Sequence, residues 1–221
     1  MPSCEIDHVL IGCPSLADAI RWFETTTCAS PRHGGSHPRR GTRNALLPLS
    51  GEAYLELLAP DSAQAARSVG RDESEKLTAP AFCWWALRSS DLPTIQDTLA
   101  TCGVACSEIL AGIRQTSDGK TLEWSMLMTL DDELGSQLPF FLDWGDETLH
   151  PGKRDPAGEI ASLTFSGPAA SRLAEILSRV GLRDTVVHCE TRASWQQHLE
   201  LVLAGHRHTI AGPGYRMPSL S

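Results

Sequence analysis

The sequence predicts an α+β protein built from repeated strand–helix–strands units. Three observations carry this expectation. A short β-rich run is followed by a capped amphipathic helix and then by two more strand candidates. The same order returns further along, with Leu92 in the place of Leu16, an offset of 92 − 16 = 76 residues. A third, partial version occupies the last part of the chain. A period of 76 residues is too long for a solenoid repeat and fits duplicated βαβββ modules.

The first unit opens with residues 6–13, IDHVLIGC, as a strand. Ser15, followed three residues later by Asp18, is a variant of the capping box, and Leu16, Ile20 and Phe23 give one apolar helical face. The stretch around Gly34, Gly35 and Pro38 reads as a polar loop. Residues 44–49 and 53–59 read as strands joined by a turn at 50–52. Residues 61–80 are a polar connector. In the second unit 82–89 is a strand, Ser90 or Asp91 caps a helix carrying Leu92, Ile95 and Leu99, and Gly103 ends it. Strands follow at 107–114, 121–129 and 138–144. In the third, IASLTF is a strand, Leu173, Ile176, Leu177 and Val180 form a helix face closed by Gly181, and 198–204 and the stretch near Thr209 are later strands. The expected boundaries are 1–60 and 81–149 for the two modules, and 150–221 for the partial third.

Composition bounds the function. The chain has 221 residues, 41% of them hydrophobic, enough to bury a core without disulfides or a structural metal. The net charge of −8 argues against a nucleic-acid partner. No apolar run is long enough to span a bilayer, and the first residues lack the basic segment of an export signal. The seven cysteines are odd in number and include no CxxC pair, which fits a reducing, cytoplasmic setting. No P-loop, dinucleotide fingerprint or GxSxG elbow is present, so no nucleotide cofactor is expected.

Strand alternation singles out two residues. It puts His8 on one face with Ile6 and Leu10, and Glu56 on one face with Tyr54 and Leu58. A carboxylate between apolar neighbours is costly to bury unless paired or metal-bound. Imidazole nitrogen with carboxylate oxygen suits Zn, Fe, Mn or Ni. A core histidine and a solvated strand face are the plainer alternatives for each residue taken singly.

The strings DHVLIGCPSLADAIRWFE, GGSHPRRGTRNALLPL and AYLELLAPD, with PFFLDWGD and the following HP, resemble the glyoxalase-like proteins of the vicinal oxygen chelate superfamily, the glyoxalase, bleomycin-resistance and dioxygenase group. The resemblance implies two modules forming a curled mixed sheet with helices outside and a metal inside. It also implies a His or Gln from each module's first strand and a Glu from each last strand. It places His8 and Glu56 at the first module's ligand positions. In the second module it meets Trp84, which cannot ligate, and Asp143 in place of Glu. His37, Thr42 and Asn44 belong to the matching HPxxGTxN string. There His37 or Glu56 would move a proton, Thr42 and Asn44 would orient substrate, and Arg40 or Arg43 would pair with an anionic group. Trp85, Trp124 and His150 are further expected binding residues, with core packing as the alternative for the tryptophans. His206 and His208 form a weaker candidate metal pair.

Two function classes follow. One is a lyase, isomerase or ring-cleaving enzyme acting on a small carbonyl-bearing metabolite, with a divalent metal stabilising an enolate, or without metal and with Glu56 as base. The other is a protein that sequesters a small molecule between tryptophans without turnover. Pairing of the modules within one chain or across a homodimer stays open.

Overall fold

Each strand–helix–strands unit leaves two sheet edges unpaired, and in the computed structural model the two units supply each other's partners. The structure describes residues 3–116, 119, 121–145 and 150–213. The first unit comprises β1 (Glu5–Gly12), α1 (Leu16–Thr27), β2 (Arg32–His37), β3 (Thr42–Pro48) and β4 (Tyr54–Pro60). After α2 (Val69–Lys76) the second contains β5 (Ala81–Arg88), α3 (Leu92–Thr101), β6 (Ala105–Cys106), β7 (Leu110–Thr116), β8 (Thr121–Leu127), β9 (Thr129–Leu130) and β10 (Phe140–Asp143). The strands close a barrel in the order β1-β4-β3-β2-β7-β8-β10-β5. A long antiparallel ladder joins β1 to β5, and two residue pairs, Gly35 with Thr116 and Ser36 with Gln115, join β2 to β7. The fold is the expected α+β arrangement of repeated βαβββ units in a curled mixed sheet, with the helices outside.

The helices form where their signals stand. The Ser15 hydroxyl accepts from the Asp18 N–H and Asp91 from the Thr94 N–H, each satisfying a donor of the first turn. Leu16, Ala19 and Phe23 are buried on α1, and Leu92, Ile95 and Leu99 on α3. α1 packs on β3 and β4 and α3 on β8 and β10, in the core that holds outward-facing residues such as Val9, Ile11, Leu55, Leu57 and Phe141. The inward-facing set, including Leu10, Tyr54, Trp84, Phe140 and Leu142, makes a separate core inside the barrel. Trp85 belongs to the outer core. Its indole N–H donates to the Gln137 carbonyl at 2.9 Å, and its ring stacks on Phe165.

The 76-residue offset reappears as register. His8 lies opposite Ala86 and Leu10 opposite Trp84, as a two-fold relation demands if residue 8 corresponds to 84 and 10 to 86. Residues 32–37, expected as loop, form strand β2. Its glycines give no strand signal, but they let side chains from neighbouring strands cross it, as described below.

The C-terminal unit contains β11 (Gly158–Gly167), α4 (Ala170–Arg179), β12 (Val187–Thr191), β13 (Gln196–Leu203) and β14 (His206–Ala211). It repeats the order of element types, but its strands lie β12-β11-β13-β14, with β12 parallel to β11. In the barrel units the fourth strand, not the second, lies parallel beside the first. This sheet packs on the outside of β5, and the Gln197 side-chain amide donates to the Phe82 and Cys83 carbonyls at 2.8 and 3.0 Å. Gln197→Ala should cost about 1–3 kcal/mol in urea unfolding, because two buried carbonyls lose their donor.

All seven cysteines are free thiols, and burial pushes Cys4, Cys13 and Cys83 up to about 12, which keeps them unreactive. Among the described residues no helix is long and apolar enough to cross a membrane.

Candidate active site

The inward faces of β1, β3, β4, β7 and β8, with residues 140–144, line a cavity of about 80 Å³ that opens to solvent. His8, His37, Thr42, Asn44, Glu56, Trp124 and Trp144 all line it. Its polar side begins with an irregularity in β1. The ladder with β5 slips between Ile6 and His8, so Asp7 has no partner on β5. A slip of one residue reverses strand alternation. Ile6 therefore packs with Val9 and Ile11 in the outer core, not beside His8 and Leu10 as simple alternation predicts. The Asp7 and His8 side chains consequently meet, with Asp7 Oδ1 2.6 Å from His8 Nδ1.

Asp7 is fully buried and accepts from three donors. Besides His8, the Trp144 indole N–H reaches Oδ2 at 2.8 Å, and His150 Nε2 reaches it at 3.0 Å. The His150 tautomer follows from its other bond. Its Nδ1 accepts the Gly152 N–H at 3.1 Å, so Nε2 carries the proton that is given to Asp7. Burial alone would raise the Asp7 carboxyl, but the bonds and charges of His150 and His8 together hold it well below the usual carboxylate range.

The same bookkeeping sets His8. With Nδ1–H given to Asp7, Nε2 of the neutral ring presents a lone pair, and a second proton there would pair the ring with Glu56. His8 Nε2 is buried, has no hydrogen-bond partner among the described residues, and lies 3.4 Å from Glu56 Oε2. Glu56 is held at its other oxygen by Asn44 Nδ2 at 2.7 Å. Asn44 Oδ1 in turn accepts from Arg114 Nη1 at 3.3 Å. His37 shares a hydrogen bond with Thr42 at 3.0 Å. Burial lowers His37 to about 4, with Arg114 and Arg40 pushing the same way against the opposing pull of Glu56, so it is neutral at pH 7.

The line from Glu56 through Asn44 to Arg114 runs from β4 over β3 and β2 to β7. It crosses β2 at Gly34. A Cβ there would sit 2.3 Å from Asn44 Oδ1 and 2.5 Å from Arg114 Nη1. Gly112 similarly makes room for the Trp124 ring, which a Cβ would approach to 2.1 Å. Gly34→Ala should therefore separate Arg114 from Asn44 and cost about 1–3 kcal/mol in denaturant unfolding, the usual penalty of overpacking.

Other expected site residues lie elsewhere. Arg43 is exposed, because it alternates with the inward Thr42 and Asn44 on β3. Trp85 points into the outer core. Asp143 is half-buried outside the cavity, where its carboxylate accepts the Gly145 N–H at 2.9 Å. Register explains the last case. Leu10 faces Glu56, and its counterpart Ala86 faces Phe140, so Phe140 occupies the second unit's carboxylate position. Asp143 is three residues further on, an odd number that turns it outward. His150 stands behind the site, bonded to Asp7. His206 and His208 lie on β14, in the C-terminal sheet.

Asp7 and Arg114 were not singled out in the sequence. Asp7 is hidden by alternation, which assigns it to the face opposite His8. Arg114 left one faint signal, a glycine on each neighbouring or own strand where a close crossing needs one.

Two βαβββ units closed around an inward His–Glu pair are the architecture of the vicinal oxygen chelate superfamily. The chain matches the Glyoxalase-like domain family over residues 6–181 and belongs to that family. A hypothetical protein from Staphylococcus aureus has a similar crystal structure, with TM-score 0.64 and 17% identity, covering 98% of this chain and 88% of that one. A methylmalonyl-CoA epimerase from Mycobacterium tuberculosis aligns with TM-score 0.47 and 24% identity, over 62% of this chain and 86% of that one. A Streptomyces coelicolor methylmalonyl-CoA epimerase variant in complex with 2-nitronate-propionyl-CoA aligns with TM-score 0.49 and 16% identity, over 66% of this chain and 100% of that one. No curated protein matches the chain.

A divalent metal of the kind the superfamily uses finds two donors here. The 3.4 Å between His8 Nε2 and Glu56 Oε2 suits two ligands of one tetrahedral ion at about 2.1 Å each. The second unit offers Trp84 and Phe140 at the corresponding positions. Among the described residues no group of three or more His, Cys, Asp or Glu side chains is placed to hold an ion. The residues fit half of a four-ligand site.

Proposed function

We propose that the protein is an enzyme of the isomerase or lyase type that moves a proton at a carbon beside a carbonyl in a small metabolite, using Glu56 and His8. The observation that carries this reading is the buried, unpartnered His8 Nε2, aimed at a carboxylate 3.4 Å away while Asp7 holds the other ring nitrogen. A buried lone pair beside a carboxylate is unfavourable unless a proton or cation comes between them. In the reading proposed, Glu56 Oε2 takes the proton as the C–H bond breaks, and the electron pair remains on the substrate as an enolate. His8 Nε2 shares that proton across the short gap and returns it to carbon. Asp7 keeps the imidazole in the accepting tautomer and stabilises its protonated form. Asn44 orients Glu56 through the oxygen that does not react. Tyr54 stacks on the His8 ring with centroids 4.7 Å apart, and Trp144 holds Asp7 behind it.

The same two atoms favour a second reading. A Zn, Fe, Mn or Ni ion on His8 Nε2 and Glu56 would supply Lewis acidity to vicinal substrate oxygens. It would occupy the lone pair that accepts the proton, so the two readings compete for one atom.

Proton exchange decides between them. The purified protein, stripped with chelator, is incubated in D2O with a panel of 2-oxo acids, hydroxy-ketones and acyl thioesters, and α-proton loss is followed by NMR. Exchange in the stripped protein that is lost in His8→Gln supports the proposal. Exchange only after a stoichiometric divalent ion is restored transfers the role to the metal. Ligand binding with no exchange under either condition overturns both and leaves a sequestering protein.

A further inference from the structure

Two guanidinium groups face the cavity with no carboxylate among the described residues in contact, and Glu56 acts on Arg40 only from beyond ion-pair distance. Arg114 on β7 is only 5% exposed, and among the described residues its side chain bonds to the neutral side chain of Asn44. Arg40, half-buried in the turn after β2, rests Nη2 at 3.1 Å on Met126 Sδ, a weak acceptor. Among the described residues no Asp or Glu oxygen lies within 4.0 Å of either guanidinium. The other described arginines that are not exposed find acids: Arg71 pairs with Glu75, Arg88 with Glu5 and Arg172 with Asp131. A buried guanidinium without an ion pair is costly, so Arg114, with the half-buried Arg40 on the same cavity, marks the place of an anion that contacts neither now.

The arrangement is built. Gly34 removes the one Cβ that would stop Arg114 from turning inward. Gly41, at φ +64°, gives the tight turn that carries Arg40 back over the cavity, and a Cβ there would strike the Ala66 carbonyl. The charges can be counted. Arg40 and Arg114 are positive and Glu56 is negative, while Asp7 lies behind His8 with both oxygens occupied by N–H donors. Among the side chains that line the cavity two arginines face one carboxylate, and the ionised Asp7 behind His8 balances the remaining charge from outside the lining. The room is small, and Trp124, Trp144 and Phe140 line its other side.

We infer that the site takes a small monocarboxylic acid, its carboxylate held by Arg114 and Arg40 and its adjacent carbon presented to Glu56 and His8. Planar guanidinium groups match a carboxylate's geometry and hold it at a defined angle. The reacting end of this assignment rests on the proton-transfer reading above, whereas the carboxylate end stands on the two arginines alone.

Calorimetric titration of the full-length protein in chloride-free buffer tests it, with pyruvate, 2-oxobutyrate, phenylpyruvate, their methyl esters and inorganic phosphate as probes. At least one acid is expected to bind about tenfold or more tightly than its ester. Arg114→Met and Arg40→Met should each remove most of that preference. If Arg114→Met fails to fold, Arg40→Met, in a turn and half-buried, carries the same test. Glu56→Gln should keep the preference and lose α-proton exchange. Acids that bind no better than their esters, or a preference unchanged in Arg40→Met and Arg114→Met, would overturn the assignment. Arginine-dependent binding of phosphate tighter than of any acid would also overturn it, in favour of a phosphorylated ligand. Exchange that persists in Glu56→Gln, with the arginine dependence intact, would refute the proton-transfer reading and leave the carboxylate subsite standing.

Discussion

Asp7→Asn should unfold at least about 3–5 kcal/mol more easily than the parent at pH 7, the range typical when one partner of a buried charged network is removed. The substitution keeps size and shape, so no cavity is made. It replaces an oxygen that accepts hydrogen bonds with an NH2 group among the N–H groups of His8, Trp144 and His150. At least one donor is left unpaired in a fully buried place. The acid dependence is a sharper test. Asp7 has a depressed folded value, so its stabilisation is present above the ordinary carboxylate value of 3.8 and is lost as pH falls through the folded value. His37 behaves differently. It is held neutral in the fold at about 4 against an ordinary 6.5, so stability falls as pH drops through that window and levels off below it. The Asn variant should keep the decline between 6.5 and about 4 and lose the further decline below 3.8. Urea unfolding at a series of pH values measures both. A variant with the parent's stability and acid profile would mean that Asp7 is not the hub described.

Glu56→Gln should lower turnover by about a thousandfold or more while leaving the fold at least as stable, a combination that a structural glutamate would not show. The structural half follows from the orphaned His8 Nε2. A glutamine at position 56 keeps an oxygen for Asn44 Nδ2 and can turn its own NH2 toward that nitrogen, so the unsatisfied acceptor gains a donor. One added buried hydrogen bond contributes about 0.5–1.5 kcal/mol. The chemical half follows from the amide, which cannot accept a proton at neutral pH. Stability by thermal or urea unfolding and α-proton exchange on the same preparation give the two readouts. Parent-level exchange would remove Glu56 from the chemistry. A variant that fails to fold would mean that the carboxylate serves structure.

The sequence by itself determined the repeat, the barrel-forming units, the positions of α1, α3 and α4, and the strands that carry His8, Asn44 and Glu56. These are local properties. Capping residues, helical and strand periodicity and a 76-residue offset are written in neighbouring letters, and the Leu10–Trp84 pairing repeats that offset as register. The tertiary structure alone decided what those letters cannot carry. One slipped residue in β1 turned Asp7 onto His8 and sent Ile6 to the other core, and no periodicity announces a slip. Phe140 rather than Asp143 faces the site because pairing with β5 set the register of a four-residue strand. Arg114 reaches Asn44 only because β2 and β7 meet where the barrel closes, with a glycine between them. The Phe140–Ala86 and Arg114–Asn44 contacts join residues 54 and 70 positions apart, and their physical basis is edge pairing and excluded volume, which exist only once the chain has closed on itself.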